Sequence, residues 1–593
     1  MTHLRFITPY YPALAVLVGG GALCVIFRSE SYHYALALVF LWATVGGSWN
    51  IISGYGGQMA FGHAVFFGIG AFSSTILMSQ WHLTPIIGVW AGIALAVLAA
   101  ILIGWPTFKL NGTYFSLATL AYPLMFIPVL SYFGFQEVSV PYIRVGGEWY
   151  LQFSETWSYA LVAIGLAAVT MGITIGIERS RLGASLLAVR DDEWAAQAAG
   201  VNTMRVKLVA FSISAAIAAA AGTLYASILL IVTPHSVFGL GVTVKSLMVC
   251  LVGGLATVWG PLIGAALLIP LGQVLLSKYG AQFPGIDNFI LGLFLIVVIV
   301  VAPEGLYWMI RDRLLPRSRA TGHIHDEVAI PDRQSAMSRA VRSEGLMPGD
   351  VVLRAEGLSK SYLGVAAVSN VTFDLREQEI LGIIGPNGAG KTTLMNLLNG
   401  FVAPDSGRVV FLGSDCTGEG PWEVCRRGVG RTFQVPRALL RRTVIQNVEI
   451  GAYHRVSNVA DAKSAALAVL KRIGLATRRD ALVSELSTAE LRKLELARAL
   501  AGAPRVLLLD EPLAGLVAGD IREFSQLVKE LRTEGLTVVI IEHTMAAMVE
   551  LADRFIVLNN GEAIAEGAPR QIVKDPVVIE AYLGRGWKAH AQG

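Results

Sequence analysis

A succession of apolar stretches fills the first 310 or so residues and limits this chain's fold more than any other feature. Candidate segments fall at 9–27, 32–52, 58–80, 85–105, 110–132, 157–177, 207–231, 240–257, 260–276 and 287–302. Several approach the roughly 20 residues that a helix needs to cross a hydrocarbon core. Inside that core no water pairs with the backbone, so each segment must satisfy its own N–H and C=O groups, as a helix does. The overall composition, 54% hydrophobic and 15% charged, hides a split, because nearly all the apolar excess precedes residue 310. We therefore expect an N-terminal all-α polytopic membrane domain of about ten spans. The segments at 58–80 and 240–257 are rich in glycine and read as candidates for broken or re-entrant backbone. The run at 9–27 follows Arg5, but no small-x-small cleavage site succeeds it. It reads as an uncleaved first span rather than a signal peptide.

Ten spans with both ends inside place Arg5, Lys109, Arg179, Arg181, Arg190, Arg205, Lys207, Arg311, Arg313, Arg317 and Arg319 on the inner face. Only Arg28, Arg144 and Lys278 fall outside, which obeys the positive-inside rule. Small residues such as Gly46-Gly47, Gly54, Gly56-Gly57, Gly253-Gly254 and Gly264 permit close helix contact and helix breaks. Lys245 and His63 lie within spans, where an ionisable group needs a structural pairing or a substrate. Trp149, Tyr150 and Trp157 mark the outer interface. The four cysteines (Cys24, Cys250, Cys416, Cys425) show no metal-ligand spacing and read as free thiols facing a reducing compartment. The net charge of +4 is small, and no basic patch interleaved with aromatics points to nucleic acid.

Residues 311–350 change character: they are polar, charged and without apolar periodicity, as in a flexible cytoplasmic linker. Beyond them, the strand-like Ile380–Ile384 runs into Gly385-Pro386-Asn387-Gly388-Ala389-Gly390-Lys391-Thr392-Thr393 and then a helix-like stretch. This is G-x-x-x-x-G-K-T in the strand–loop–helix setting that a phosphate loop requires. Backbone N–H groups would cradle a polyphosphate, Lys391 would reach the β- and γ-phosphates, and the Thr392 hydroxyl would bind Mg²⁺. The domain ranges expected are thus 1–310 for the membrane domain, 311–350 for the linker and 351–593 for an α/β ATP-binding domain. The last range also holds Val506-Leu507-Leu508-Leu509-Asp510-Glu511-Pro512, a buried strand ending in two acids, Asp510 and Glu511. Asp510 is placed to hold Mg²⁺ and Glu511 to polarise the attacking water.

The second half resembles the ABC-type ATPases. By that resemblance Tyr362 stacks on adenine. Gln434, in Arg431-Thr432-Phe433-Gln434, ligates Mg²⁺, positions water and meets the permease. His543, after the strand Thr537–Glu542, contacts the γ-phosphate. The loop Leu486-Ser487-Thr488-Ala489-Glu490 stands where the family's LSGGQ signature closes over ATP held by the partner ATPase. It keeps the serine and loses both glycines and the glutamine. Val517 replaces a usual acid or amide. The resemblance then implies a looser contact, and weaker hydrolysis, at one composite site. Ile541–Met545 and Glu580–Gly584 are similar to the branched-chain amino acid ATPase subfamily.

The first half resembles the branched-chain amino acid permeases at Asn50–Gln58, Leu251–Pro261 and Pro303–Leu306. Within the inner loop 178–206, the helix-prone Val189–Asn202 is similar to the segment that docks importer permeases on their ATPases. Together the resemblances imply one permease fused to one ATPase in the inner membrane, driving uptake of branched-chain or other hydrophobic amino acids. They imply ATP and Mg²⁺ as cofactors, with the ATPase in the cytoplasm. A second permease and a second ATPase (or a second copy of the chain) and an extracytoplasmic solute-binding protein would complete the assembly. An importer of urea or short amides remains open, as does a regulatory membrane subunit with weak hydrolysis.

Overall fold

The computed structural model describes residues 10–110, 112–141, 143, 147–283, 285–314, 347–456 and 458–583. Most of the expected linker falls outside these, as do Arg5, Arg144, Arg317, Arg319 and Gly584. The chain forms two compact units, Met1–Arg190 with Met204–Arg319, and Asp191–Thr203 with Ala320–Gly593.

In the first unit every expected apolar segment is helical. Among the described residues, eight helices are long and apolar enough to cross a membrane: Glu30–Tyr55, His63–Trp81, Pro85–Thr107, Thr113–Tyr132, Thr156–Glu178, Thr203–Leu229, Pro234–Gly253 and Gly260–Tyr279. The other two expected spans, Tyr11–Ile26 and Phe289–Val301, are shorter apolar helices. At 1.5 Å per residue, the 16 residues of Tyr11–Ile26 reach about 24 Å, less than the thickness of a hydrocarbon core. The glycine-rich 58–80 segment is not broken in its helical part, His63–Trp81. The second suspect is: the span pauses at Gly239, between Pro234–Phe238 and Leu240–Gly253, and leaves helix altogether at Gly254. A two-residue antiparallel ribbon pairs β1 (Val138–Ser139) with β2 (Ile231–Val232).

The three permease-like motifs meet in space. The helix Glu30–Trp49 ends in a π-helical turn, Asn50–Tyr55. From it the Asn50 side-chain amide donates to the Thr257 carbonyl (2.9 Å), while its oxygen accepts from the Ala256 N–H (2.9 Å). A β-carbon on Gly54 would sit 1.9 Å from that oxygen, so only glycine leaves the asparagine room to cross. The third motif packs on the same loop, where a β-carbon on Gly305 would lie 2.4 Å from the Gly254 Cα. The Trp308 indole also donates to the Leu255 carbonyl at 3.1 Å. Asn50 thus supplies both partners that the non-helical backbone after Gly254 would otherwise lack in a setting without water. Replacing Asn50 with Ala leaves one buried and one part-buried backbone group unpaired, at up to about 1–3 kcal/mol each. We expect a lowered melting temperature in detergent, and an unchanged one would show that these bonds do not hold the loop.

His63 and Lys245 have protein neighbours. The buried His63 Nε2 lies 2.9 Å from Ser214 Oγ, which itself donates to the Ser48 carbonyl at 2.5 Å. The ammonium of Lys245 lies 5.4 Å from the centre of the Trp42 ring.

The second unit carries two sheets. A six-stranded sheet runs in the order β12 (Glu562–Gly567), β11 (Arg554–Asn559), β5 (Ile380–Ile384), β10 (Thr537–Ile541), β9 (Val506–Asp510) and β8 (Val429–Arg431). All its neighbours are parallel except β11 and β12. A four-stranded antiparallel sheet has the order β4 (Val365–Arg376), β3 (Val351–Tyr362), β6 (Ser406–Phe411) and β7 (Ser414–Asp415). Strands β5, β9 and β10 are buried along their whole length, as parallel strands covered on both faces must be.

Candidate nucleotide-binding site

The site grows from the carboxyl ends of the three central strands. After β5, the loop Gly385–Gly390 turns into the helix Lys391–Leu398. Gly390 holds φ +100°, and a β-carbon there would meet the Ala367 carbonyl oxygen at 2.1 Å, so the turn requires glycine. Asn387 and Gly388 form the exposed tip, Gly385 and Ala389 are buried, and Pro386 is half-buried. Lys391 folds back to donate from Nζ to the carbonyls of Gly385 (2.8 Å) and Pro386 (2.9 Å). Burial pushes its ammonium pKa down, against the opposing pull of Glu511 and Asp510. Thr392 is exposed and Thr393 half-buried on the first turn of the helix.

Asp510 closes β9. One carboxylate oxygen, Oδ2, accepts from the Arg431 guanidinium at 3.3 Å, with both side chains only 2% exposed. The other, Oδ1, is buried without a hydrogen-bond partner among the described residues. Burial pushes the Asp510 carboxyl pKa up, opposed by Arg431. Among the described residues no group of three or more His, Cys, Asp or Glu could hold a metal by itself. A carboxylate with a free oxygen, a hydroxyl and an amide nevertheless suit Mg²⁺, a hard cation that is usually completed by substrate phosphates and water.

Glu511 follows at φ +47°, a left-handed conformation that costs a non-glycine residue strain. Its two oxygens are both engaged. Oε1 lies 2.9 Å from His543 Nε2, and Oε2 accepts from the Gln434 amide at 3.0 Å. Three side chains expected to act together, from positions 434, 511 and 543, thus form one hydrogen-bonded set. Glu542 braces it, accepting from the N–H groups of Leu513 (2.5 Å) and His543 (3.1 Å). Tyr362, 45% exposed, ends β3 with Lys360 Nζ 5.9 Å from its ring centre.

Ser487, Thr488, Ala489 and Glu490 start the helix Thr488–Ala501. Ser487 Oγ accepts from the Glu490 N–H (3.3 Å), and Glu490 Oε2 accepts from the Ser487 N–H (2.9 Å), which makes a capping box. Glu490 also pairs with Arg478 at 3.3 Å. Glutamate and glutamine cap a helix alike at this position, so what the acid adds at position 490 is its ion pair with Arg478.

Several functional neighbours escaped the sequence reading. Buried charges on the signature helix clamp the loop that carries Gln434. Arg492 donates to the Phe433 carbonyl (3.0 Å) and the Ala514 carbonyl (3.3 Å). Arg498 donates to the Arg437 carbonyl (2.7 Å), and Glu495 accepts from the Arg437 N–H (2.9 Å). Their spacing of three along a helix was the available signal. The docking-like segment 191–203 belongs to this same unit. Asp192 caps the helix Glu193–Ala198, accepting from the Ala195 N–H at 2.8 Å, and its second oxygen takes the Arg437 guanidinium at 2.9 Å. Trp194 stacks on Phe401, with ring centres 4.7 Å apart and planes 16° from parallel. Gly200, at φ +82°, ends the segment against His454, whose pKa burial lowers to about 4.

Comparison with known families agrees in both halves. Residues 31–299 match the family described as branched-chain amino acid transport system / permease component, and residues 368–514 match ABC transporter. Residues 564–588 match branched-chain amino acid ATP-binding cassette transporter. The high-affinity branched-chain amino acid transport ATP-binding protein LivG of Salmonella typhimurium is 36% identical over 249 residues, 39% of this chain and 98% of LivG. BraF of Pseudomonas aeruginosa, described in the same words, is 34% identical over 250 residues, again 39% of this chain and 98% of the relative. A crystal structure of a nucleotide-free ATP-binding cassette from an ABC transporter is 32% identical, covering 40% of this chain and all of that one, with a TM-score of 0.38.

The protein is thus a multi-pass membrane protein with a cytoplasmic ABC-type ATPase that couples ATP hydrolysis to transport. It belongs to the branched-chain amino acid ABC transporter family, with permease and ATP-binding subunit in one chain.

Proposed function

We propose that the chain imports branched-chain or other hydrophobic amino acids across the inner membrane. Residues 1–310 would form the permease, 311–350 the linker and 351–593 the ATPase. ABC-type ATPases work in pairs, and this chain carries one phosphate loop. It would therefore assemble with a second permease and a second ATPase, or with another copy of itself, and receive cargo from an extracytoplasmic solute-binding protein. The observation that carries this reading is the presence, in one polypeptide, of a permease match over 31–299 and near full-length likeness to LivG.

In this reading Tyr362 stacks on adenine and residues 385–393 cradle the phosphates, Lys391 leaving its loop carbonyls to meet them. Thr392, Gln434 and Asp510 would hold Mg²⁺, which when bound offsets charge on the β- and γ-phosphates. Glu511 is the general base. Both its oxygens are occupied by Gln434 and His543, so one must be released before it can accept a water proton. His543 then reaches the γ-phosphate, while Ser487–Glu490 close on ATP held by the partner. ATP-driven closure, passed through the segment 191–203, would switch the permease between its two faces.

The test is ATP hydrolysis and uptake in proteoliposomes containing the chain, its partner subunits and a binding protein. Stimulation by leucine is expected. Stimulation by urea alone would overturn the cargo class, and uptake without ATP consumption would overturn the coupling.

A further inference from the structure

Arg431 stands where the site and the docking segment meet. Its guanidinium donates to Asp510 Oδ2 (3.3 Å) and to Asn396 Oδ1 (2.7 Å), the latter on the helix that follows the phosphate loop. It also lies against two aromatic rings, 5.4 Å from the centre of Phe401 and 5.3 Å from that of Phe433. Phe401 carries the stacked Trp194 on its other contact, and Trp194 belongs to the segment 191–203. A continuous set of contacts therefore runs Trp194–Phe401–Arg431–Asp510 without passing through Gln434.

We propose that Arg431 is a positioning residue, which aims Asp510 at the nucleotide-bound cation and makes that aim depend on the docking segment through Phe401 and Trp194. The planar fork suits the task. It fixes Asp510 Oδ2 and leaves Oδ1, buried and without a partner, as the free ligand atom. A lysine would supply the charge, but its single ammonium lacks the planar fork that reaches Asp510 and Asn396 together beside the two rings. A partner of this kind, behind a cation ligand, is worth about 10–100-fold in metal affinity. The inference rests on Asp510 being the cation-holding acid of the proposed function.

The test measures Mn²⁺ affinity by electron paramagnetic resonance on the full chain, assembled with its partners and loaded with a non-hydrolysable ATP analogue. Arg431→Lys is expected to weaken Mn²⁺ binding about tenfold. Asn396→Ala, which removes one anchor of the fork and spares the charge, should weaken it in the same direction and serves if the lysine variant does not fold. Trp194→Ala is expected to weaken it about threefold, with no further loss when combined with Arg431→Lys. Asp510→Asn separates the two levels of the argument. If that change leaves Mn²⁺ affinity intact, the cation assignment itself is wrong. If it weakens binding while neither Arg431→Lys nor Asn396→Ala does, only the positioning role is overturned. Additive losses from Trp194→Ala and Arg431→Lys would overturn the tie to the docking segment.

Discussion

Glu511→Gln is expected to lower ATP turnover of the assembled transporter by about 10²–10⁴-fold, the range for loss of a general base, while nucleotide still binds. The exchange is nearly isosteric and should leave the strained backbone at position 511 in place. It changes the chemistry of one atom. The carboxylate receives bonds at both oxygens, from Gln434 and from His543. An amide offers one acceptor and one donor, so one of those partners must turn away or reverse. Neither arrangement can take a proton from water. Turnover measured beside binding of a fluorescent ATP analogue separates the steps: hydrolysis should collapse with affinity retained. Turnover within a few-fold of wild type would remove Glu511 from the role of base.

Lys391→Ala acts one step earlier. Its ammonium sits over the phosphate loop, bonded to Gly385 and Pro386 and within the field of both acids. Transferred to the β- and γ-phosphates, it makes charge-assisted hydrogen bonds worth about 1.5–3 kcal/mol each. We expect nucleotide affinity to fall about 10–100-fold for a contact of that size, with hydrolysis lost at ordinary ATP concentrations. The two loop carbonyls lose a donor as well, so the melting temperature without nucleotide is a necessary companion measurement. A large loss of stability there, equal to the loss of affinity, would mean that Lys391 serves the loop rather than the phosphates.

The long spans were legible because a bilayer imposes a length and a composition that need no partner to recognise: all ten apolar segments are helical, and eight of them are long and apolar enough to cross a membrane. The phosphate loop, the acids at the end of β9 and the histidine after β10 were legible for a related reason: each lies at the carboxyl end of a buried strand, and parallel strands deliver those ends to one edge. What escaped was contact between distant stretches. Asn50 is 206 and 207 residues from the backbone groups it pins, and Asp192 is 245 residues from Arg437. No local pattern announces such pairs. Arg431 was in view within Arg431-Thr432-Phe433-Gln434, yet only its burial against Asp510 marks it out. The signature loop taught the opposite lesson. Measured against LSGGQ, Glu490 reads as a loss, whereas in place it keeps the capping box that a glutamine would make and adds an ion pair with Arg478.

The segment 191–203 lies between membrane helices in sequence and within the ATPase unit in space. In a transporter made of separate subunits that contact is bimolecular, with occupancy set by how much of each subunit a cell makes. Here it is intramolecular, governed by the effective concentration that a shared backbone imposes. Dilution, or uneven expression of two genes, cannot strip this permease of its own cassette. In the proposed assembly, only the opposite half would remain subject to mass action.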